Sequence, residues 1–185
     1  HYAKGAVAMY TLREHIGAER VNLALRRFLA KFGRGGGGVP PFPTSLDLYA
    51  EFRAVTPDTL HGLLHDLFAE ITLWDVKADS AVVEPAGDGQ FRVTLDVTAR
   101  KLRADSIGNE TEVPMNDVVE VGVFADGDVA PLYLQRHRIV SGRQRITVLV
   151  PQRPVAAGID PLGKLIQRAS EDNTVEVRSP MGGPP

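Results

Sequence analysis

The feature that most constrains the fold is a change in the spacing of apolar residues near Trp74. Before it, apolar residues recur every three to four positions, as at Leu64 and Leu67, which is typical of helices that bury one face. After it the spacing becomes two, as at Val93 and Leu95, which is typical of half-buried strands. The chain should therefore fold as α+β, with an N-terminal helical part of about four helices followed by an antiparallel β-sandwich.

The same change sets the expected domain organisation. We expect residues 1–74 to form the helical part, residues 75–178 the sandwich and residues 179–185, rich in glycine and proline, a flexible tail. Gly17 should join the first two helices as a tight helical hairpin. Thr44 and Thr56 are expected to be N-caps of the third and fourth helices. The glycine-rich run 33–38 predicts a connector, since a phosphate loop needs a preceding strand.

The composition excludes several classes of function. The formal net charge of −2 is too small to indicate a nucleic-acid partner. The chain has no cysteine, so it can form neither a disulfide framework nor a cysteine-ligated metal site. No apolar run reaches membrane-spanning length. We therefore expect a soluble segment that does not itself insert into a membrane and does not bind nucleic acid.

Charged clusters in the second half have structural and functional interpretations. The basic runs Arg100–Arg103 and Arg136–Arg138 would form one positive patch if their strands pair. Solvated strand faces are the first expectation, and docking onto an acidic part of a longer chain is the second. Asp117, Asp126 and Asp128 are assigned to turns, whose chemistry explains them without calcium.

One histidine pair has the spacing of zinc ligands. His61 and His65 stand at positions i and i+4 of a predicted helix, as in H-E-x-x-H. Gly62, however, stands where the catalytic glutamate belongs, and no third ligand is evident. We therefore expect two histidines on the polar face of the helix rather than a native metal site, with adventitious zinc or nickel as the alternative.

The first residues, Tyr2-x-Lys4-Gly5-Ala6, open directly into a predicted helix without a start methionine. This segment resembles the tyrosine segment of the aminopeptidase N-like zinc metallopeptidases (gluzincins). The resemblance implies that Tyr2 donates a hydrogen bond to the oxyanion of the tetrahedral intermediate, where a phenol stabilises developing charge. It also implies that a larger protein, with its catalytic part, precedes these residues. The small residues suit close packing against that part.

The resemblance extends over most of the chain. The helical half is similar to the last helices of the family's catalytic domain, and the sandwich would be the β-domain that follows it in many members. The end resembles a bacterial subgroup in which the peptidase is fused to an ABC-transporter-type permease. The residues that carry these resemblances are Leu12–Arg13, Leu25–Leu29, Pro43–Thr44, Leu48–Phe52, Glu120–Phe124, Gly158–Pro161, Lys164–Ile166, Arg168 and Asp172–Asn173.

One departure limits what these residues can do. Neither H-E-x-x-H nor a G-x-M-E-N-like segment is present, so the 185 residues should hold no cofactor and be inactive alone. The expected parent is a membrane-anchored bacterial hydrolase with zinc as its cofactor and a peptide as its substrate. The partners of this segment would be the N-terminal and catalytic portions of the same chain. The alternative is a non-catalytic interaction or structural module of a membrane transporter-associated protein.

Overall fold

The structure, a computed structural model, describes residues 2–33, 42–127 and 130–180, with the backbone alone for Tyr2 and Ala3. The chain divides into two compact units, residues 1–72 and 73–185. Most of the predicted glycine-rich connector and the last five residues of the predicted tail lie outside the described residues. Within the described part, no helix combines the length and the apolarity needed to cross a bilayer.

The first unit contains the four predicted helices. They are α1 (Tyr2–Ile16), α2 (Ala18–Phe32), α3 (Ser45–Val55) and α4 (His61–Phe68). Gly17 joins α1 to α2 with a φ of +88°, a conformation that costs glycine little, so the predicted tight hairpin is confirmed. The largest buried apolar side chains of this unit come from all four helices: Leu12, Ile16, Val21, Phe52, Leu64 and Leu67.

The two predicted N-caps have different outcomes. Thr44 caps α3 in a reciprocal capping box, in which the Thr44 N–H donates to Asp47 Oδ2 at 2.8 Å and Asp47 N–H donates to Thr44 Oγ1. The prediction for Thr56 is wrong. Its hydroxyl donates back to the Phe52 carbonyl at 2.7 Å and therefore closes α3. A 3₁₀ turn, Asp58–Leu60, then leads into α4.

The described residues of the second unit form eight strands. The alternation predicted for the second strand is confirmed, since Val93, Leu95, Val97 and Ala99 are all buried. The strands are β1 (Ile71–Gly87), β2 (Gln90–Ala104), β3 (Glu110–Val113), β4 (Asn116–Phe124), β5 (Tyr133–Val140), β6 (Gly142–Val150), β7 (Ala156–Ile159) and β8 (Thr174–Arg178).

The strands form one strongly curled sheet, so the α+β class is confirmed, but the β part is a half-barrel rather than a clear sandwich. The strand order is β3-β2-β1-β8-β7-β4-β5, and β6 also pairs with β2. The physical reason is the parallel pairing of β1 with β8, where Ala81 faces Val177. The β1–β8 pair connects β1, β2, β3 and β6 to β8, β7, β4 and β5 by hydrogen bonds. In a sandwich these two sets of strands would form separate layers.

The long strand β1 changes its buried face in the middle. Trp74, Val76 and Ala78 are buried, and then Ala81 and Val83, one position out of phase. The residues between them, 79 and 80, are both exposed, which is the pattern that a β-bulge produces. Such a step bends a strand, and here it separates the part of β1 before the bulge from the part that pairs with β8.

Candidate functional site

Tyr2, the predicted catalytic residue, is the first residue of α1. Its side chain lies outside the described residues, so the role expected from the resemblance stays a prediction. The helix start itself is ordered by a neighbour of Tyr2, since Lys4 Nζ donates to the Glu70 carbonyl at 3.0 Å. This bond ties the segment Tyr2–Ala6 to the chain that leads from α4 into β1.

The small residues of this segment are not required by packing within the described chain. A Cβ atom added at Gly5 would meet no heavy atom within 4 Å, and Ala6 is exposed. The buried positions of α1 begin at Ala8 and continue along one stripe through Leu12 and Ile16. The close packing that we expected for these small residues, against a preceding part of a larger protein, is not supplied by the described residues and stays a prediction.

The two predicted metal-ligand candidates, His61 and His65, lie on α4. Each forms hydrogen bonds to nearby residues of the same chain. His61 Nε2 donates to the carbonyl oxygens of Thr56 at 3.0 Å and Arg53 at 3.3 Å. His65 Nε2 lies 3.1 Å from Glu70 Oε1. A ring nitrogen that donates a proton cannot bind a metal, whereas the other nitrogen of a neutral imidazole keeps its lone pair. Both imidazoles make local contacts through Nε2, and His65 lies on the exposed side of α4.

These residues do not fit the zinc site that the resemblance implies. A catalytic zinc takes three protein ligands. Across residues 2–33, 42–127 and 130–180, no three His, Cys, Asp or Glu side chains are grouped so that they could hold a metal ion. The ligands of the proposed zinc centre would therefore have to come from outside this part of the chain.

The loop after β7, residues 160–173, is organised around one buried carboxylate. Asp160, which has a φ of +44°, accepts hydrogen bonds from the N–H groups of Lys164 at 2.8 Å and Leu165 at 3.0 Å and from Gln167 Nε2 at 2.9 Å. Burial raises the pKa of Asp160, and these hydrogen bonds partly offset the effect. The Lys164 ammonium in turn lies 2.8 Å from Glu120 Oε1.

This loop completes the edge of β1 ahead of the bulge. Trp74 N–H donates to the Ile166 carbonyl and Ala78 N–H to the Asp172 carbonyl, both at 2.9 Å. The motif residues of this region, Asp160–Pro161 and Asp172–Asn173, thus support the sheet. Their contacts give a structural explanation for a segment to which the resemblance assigns no catalytic residue.

A buried polar cluster joins three strands of the second unit. Lys101 of β2, whose side chain is 7% exposed, lies 3.0 Å from Asp117 Oδ2 of β4. The same oxygen accepts the indole N–H of Trp74 at 2.8 Å, and the ammonium lies 5.4 Å from the centre of the Trp74 ring. Asp117 is thus a strand residue with a buried partner, and its assignment to a turn was wrong.

The strands that carry the two basic runs, β2 and β5, are not neighbours in the sheet. Arg100 pairs with Asp75 and Lys101 points to Asp117. Arg138 donates to the Asn116 carbonyl at 3.0 Å. The condition under which we expected a single positive surface is therefore not met.

A polar groove of about 550 Å³ lies where β1, β2 and β6 run side by side. The exposed residues of the β1 bulge, Asp79 and Ser80, form one side of it. Asp96 and Arg145 also line the groove and form an ion pair with hydrogen bonds of 2.8 and 3.1 Å. The Arg145 guanidinium keeps the pKa of Asp96 below its usual range. Arg143 lines the groove and makes no ion pair with any residue that the structure describes.

One further titratable pair lies on the edge strand β5. The hydroxyl of Tyr133 lies 2.7 Å from His137 Nε2. Partial burial lowers the pKa of His137, so the imidazole is neutral near pH 7 and can accept the phenolic proton. A neutral imidazole bonded to a phenol makes a local polar contact.

Comparison with known proteins adds no family to this geometry. No protein-family model and no curated protein matches the chain. The functional interpretation therefore depends on the residues themselves and on the resemblance of the segment Tyr2–Ala6 and the later motifs.

Sequence reasoning missed the buried lysine of the second unit, although a signal was present. Lys101 follows Val97 and Ala99 at the same spacing of two, which puts a lysine in the inward phase of β2. A charged residue in a buried phase predicts a buried partner. Asp117 could not be chosen as that partner, since it comes from a strand 16 residues away that is not the neighbour of β2.

Proposed function

We propose that this chain is the C-terminal part of an aminopeptidase N-like zinc metallopeptidase, which removes N-terminal residues from peptides. In this proposal Tyr2 donates its phenolic proton in a hydrogen bond to the oxyanion that forms on the substrate carbonyl. Zinc would supply the activated water, with ligands from outside the described residues. The second unit would brace the catalytic domain.

One observation supports this proposal more than any other. The segment Tyr2–Ala6 starts helix α1, and Lys4 fixes that start to the Glu70 carbonyl. A donor that stabilises a transition state must be held in place before the reaction, because reorganisation during the reaction would cost part of the gain. The order of the chain, four helices and then a β unit, also agrees with what the resemblance implies.

The experiment uses the longer protein that this proposal implies, with its N-terminal and catalytic portions. We expect that protein to hydrolyse aminoacyl anilides, to lose activity with a chelator and to regain it with zinc. The 185 residues alone should show no turnover above the blank, even with zinc added. Failure of the longer, zinc-loaded protein to cleave any aminoacyl anilide would contradict the proposal.

The alternative, a non-catalytic interaction module of a transporter-associated protein, is favoured by a different observation. Its binding surface would be the edge of β6 that has no partner strand among the described residues, with its arginines beside the polar groove. Such a module would need no zinc, so the same chelation experiment separates the two proposals.

A further inference from the structure

Two consecutive strands of the second unit leave their facing edges unpaired. Only Ser141 separates β5 from β6, yet β5 pairs with β4 and β6 pairs with β2, at opposite parts of the sheet order. Within the described chain, β6 therefore has a strand on one side only. Unpaired edges are templates for another extended chain.

At the corner between β5 and β6, hydrogen bonds from the Gln144 side chain replace the main-chain ladder that a hairpin would have. Gln144 Nε2 donates to the Val140 carbonyl at 2.8 Å, and Val140 N–H donates to Gln144 Oε1 at 3.2 Å. One amide thus satisfies both main-chain groups of Val140. This contact fixes where β6 begins and leaves the rest of its outer edge accessible.

The two faces of β6 differ in chemistry. Arg143, Arg145, Thr147 and Leu149 alternate along the exposed face, and Leu149 is 52% exposed. The other face carries apolar residues, of which Val148 and Val150 are buried. The strand contains two arginines and no acidic residue. Of the two guanidiniums, that of Arg145 has the Asp96 carboxylate as its partner.

We propose that the outer edge of β6 binds an extended segment of a separate polypeptide in which acidic and apolar residues alternate. Its main chain would extend the ladder of β6, its acidic side chains would lie beside Arg143 and Arg145, and its apolar side chains would continue the buried face.

Charge decides between this occupant and a second copy of the chain. Two β6 edges paired with each other would gather four arginines on one face of the joined sheet. Only the Asp96 carboxylates lie in register with them. Like charges on neighbouring strands destabilise pairing, whereas opposite charges stabilise it. An acidic strand is therefore the complementary partner.

The test uses the whole chain and an acetylated peptide of alternating glutamate and valine, nine residues long like β6. Calorimetry should show saturable binding that weakens with salt. Arg143→Glu should weaken binding about tenfold or more, while Arg27→Glu, the same charge change on an exposed position of α2, should leave it unchanged. A lysine–valine peptide should not bind the unaltered chain.

N-methylated peptides test the main-chain pairing without altering the protein. In a paired strand, alternate residues direct their N–H groups to the neighbour. Methylation of one alternate set should abolish binding, and methylation of the other should be tolerated. The proposal is overturned by absence of saturable binding, by equal tolerance of both sets, by equal effects of Arg143→Glu and Arg27→Glu, or by a stable dimer of the chain paired through β6.

Discussion

At the residue scale, a pair of glycines shows where the sheet leaves no room for a side chain. Gly122 of β4 and Gly158 of β7 face each other in register. A Cβ atom at Gly158 would overlap the Asn173 carbonyl oxygen and the Thr174 backbone, whereas one at Gly122 would meet the ring end of Phe124 and Pro161. Backbone cannot move aside as a side chain can.

Gly158→Ala should therefore destabilise the protein more than Gly122→Ala. Overpacking typically costs about 1–3 kcal/mol, and we expect Gly158→Ala at or above the top of that range and Gly122→Ala near the bottom. Urea unfolding followed by circular dichroism measures both. Equal costs for the two substitutions would show that the close approach at Gly158 is relieved by backbone movement.

A second residue-scale prediction concerns pH. Partial burial holds the pKa of His137 below its unfolded value of about 6.5. The unfolded chain therefore binds more protons between the two values, so stability is fully present above pH 6.5 and is lost as the pH falls through 6.5 toward the folded pKa. His137→Gln removes this titration, and the remaining histidines are common to both proteins.

The measurement is the difference in melting temperature between wild type and His137→Gln from pH 8 to pH 5. We expect the difference to be constant above neutrality. Below neutrality the melting temperature of the wild type should fall relative to that of His137→Gln. Parallel profiles over the whole range would mean that the contact with Tyr133 does not depend on a neutral imidazole.

At the scale of elements, the cluster of Lys101, Asp117 and Trp74 joins β1, β2 and β4. Lys101→Met should cost about 3 kcal/mol or more, because it leaves the Asp117 carboxylate mostly buried without its cation. The double variant Lys101→Met/Asp117→Asn removes both charges, and the Asn amide can still accept the Trp74 indole proton. It should recover much of the loss.

Chemical unfolding of the two single variants and the double variant gives the coupling energy. Additive costs would contradict the account of the cluster, since independent residues have no coupling. A strong positive coupling would show that the charges are tolerated in the sheet only as a pair.

The elements that could be predicted are those that depend on local pattern. The helices of the first unit, the Thr44 capping box and the alternation of β2 follow from periodicity and capping chemistry. The choice of strand partners does not, because it depends on contacts between distant residues. The pairing of β1 with β8 and the separate partners of β5 and β6 turned the expected sandwich into a half-barrel.

At the scale of the whole molecule, the candidate site was the part least accessible to pattern reasoning. Spacing alone suggested His61 and His65 as metal ligands. In the structure their Nε2 atoms form hydrogen bonds within their own chain. Tyr2 came only from resemblance, since a single tyrosine at a helix start has no periodic signal. The open edge of β6 became visible only when the pairing of both neighbouring strands was known.

The central claim, that Tyr2 belongs to the oxyanion site of a zinc aminopeptidase, is tested most directly by Tyr2→Phe in the longer, zinc-loaded protein. Loss of one such donor typically lowers turnover roughly a hundred- to a thousandfold. The Michaelis constant should change little, because the ground-state carbonyl carries less charge, and zinc content and melting temperature should stay normal. Turnover close to that of the wild type would contradict the claim.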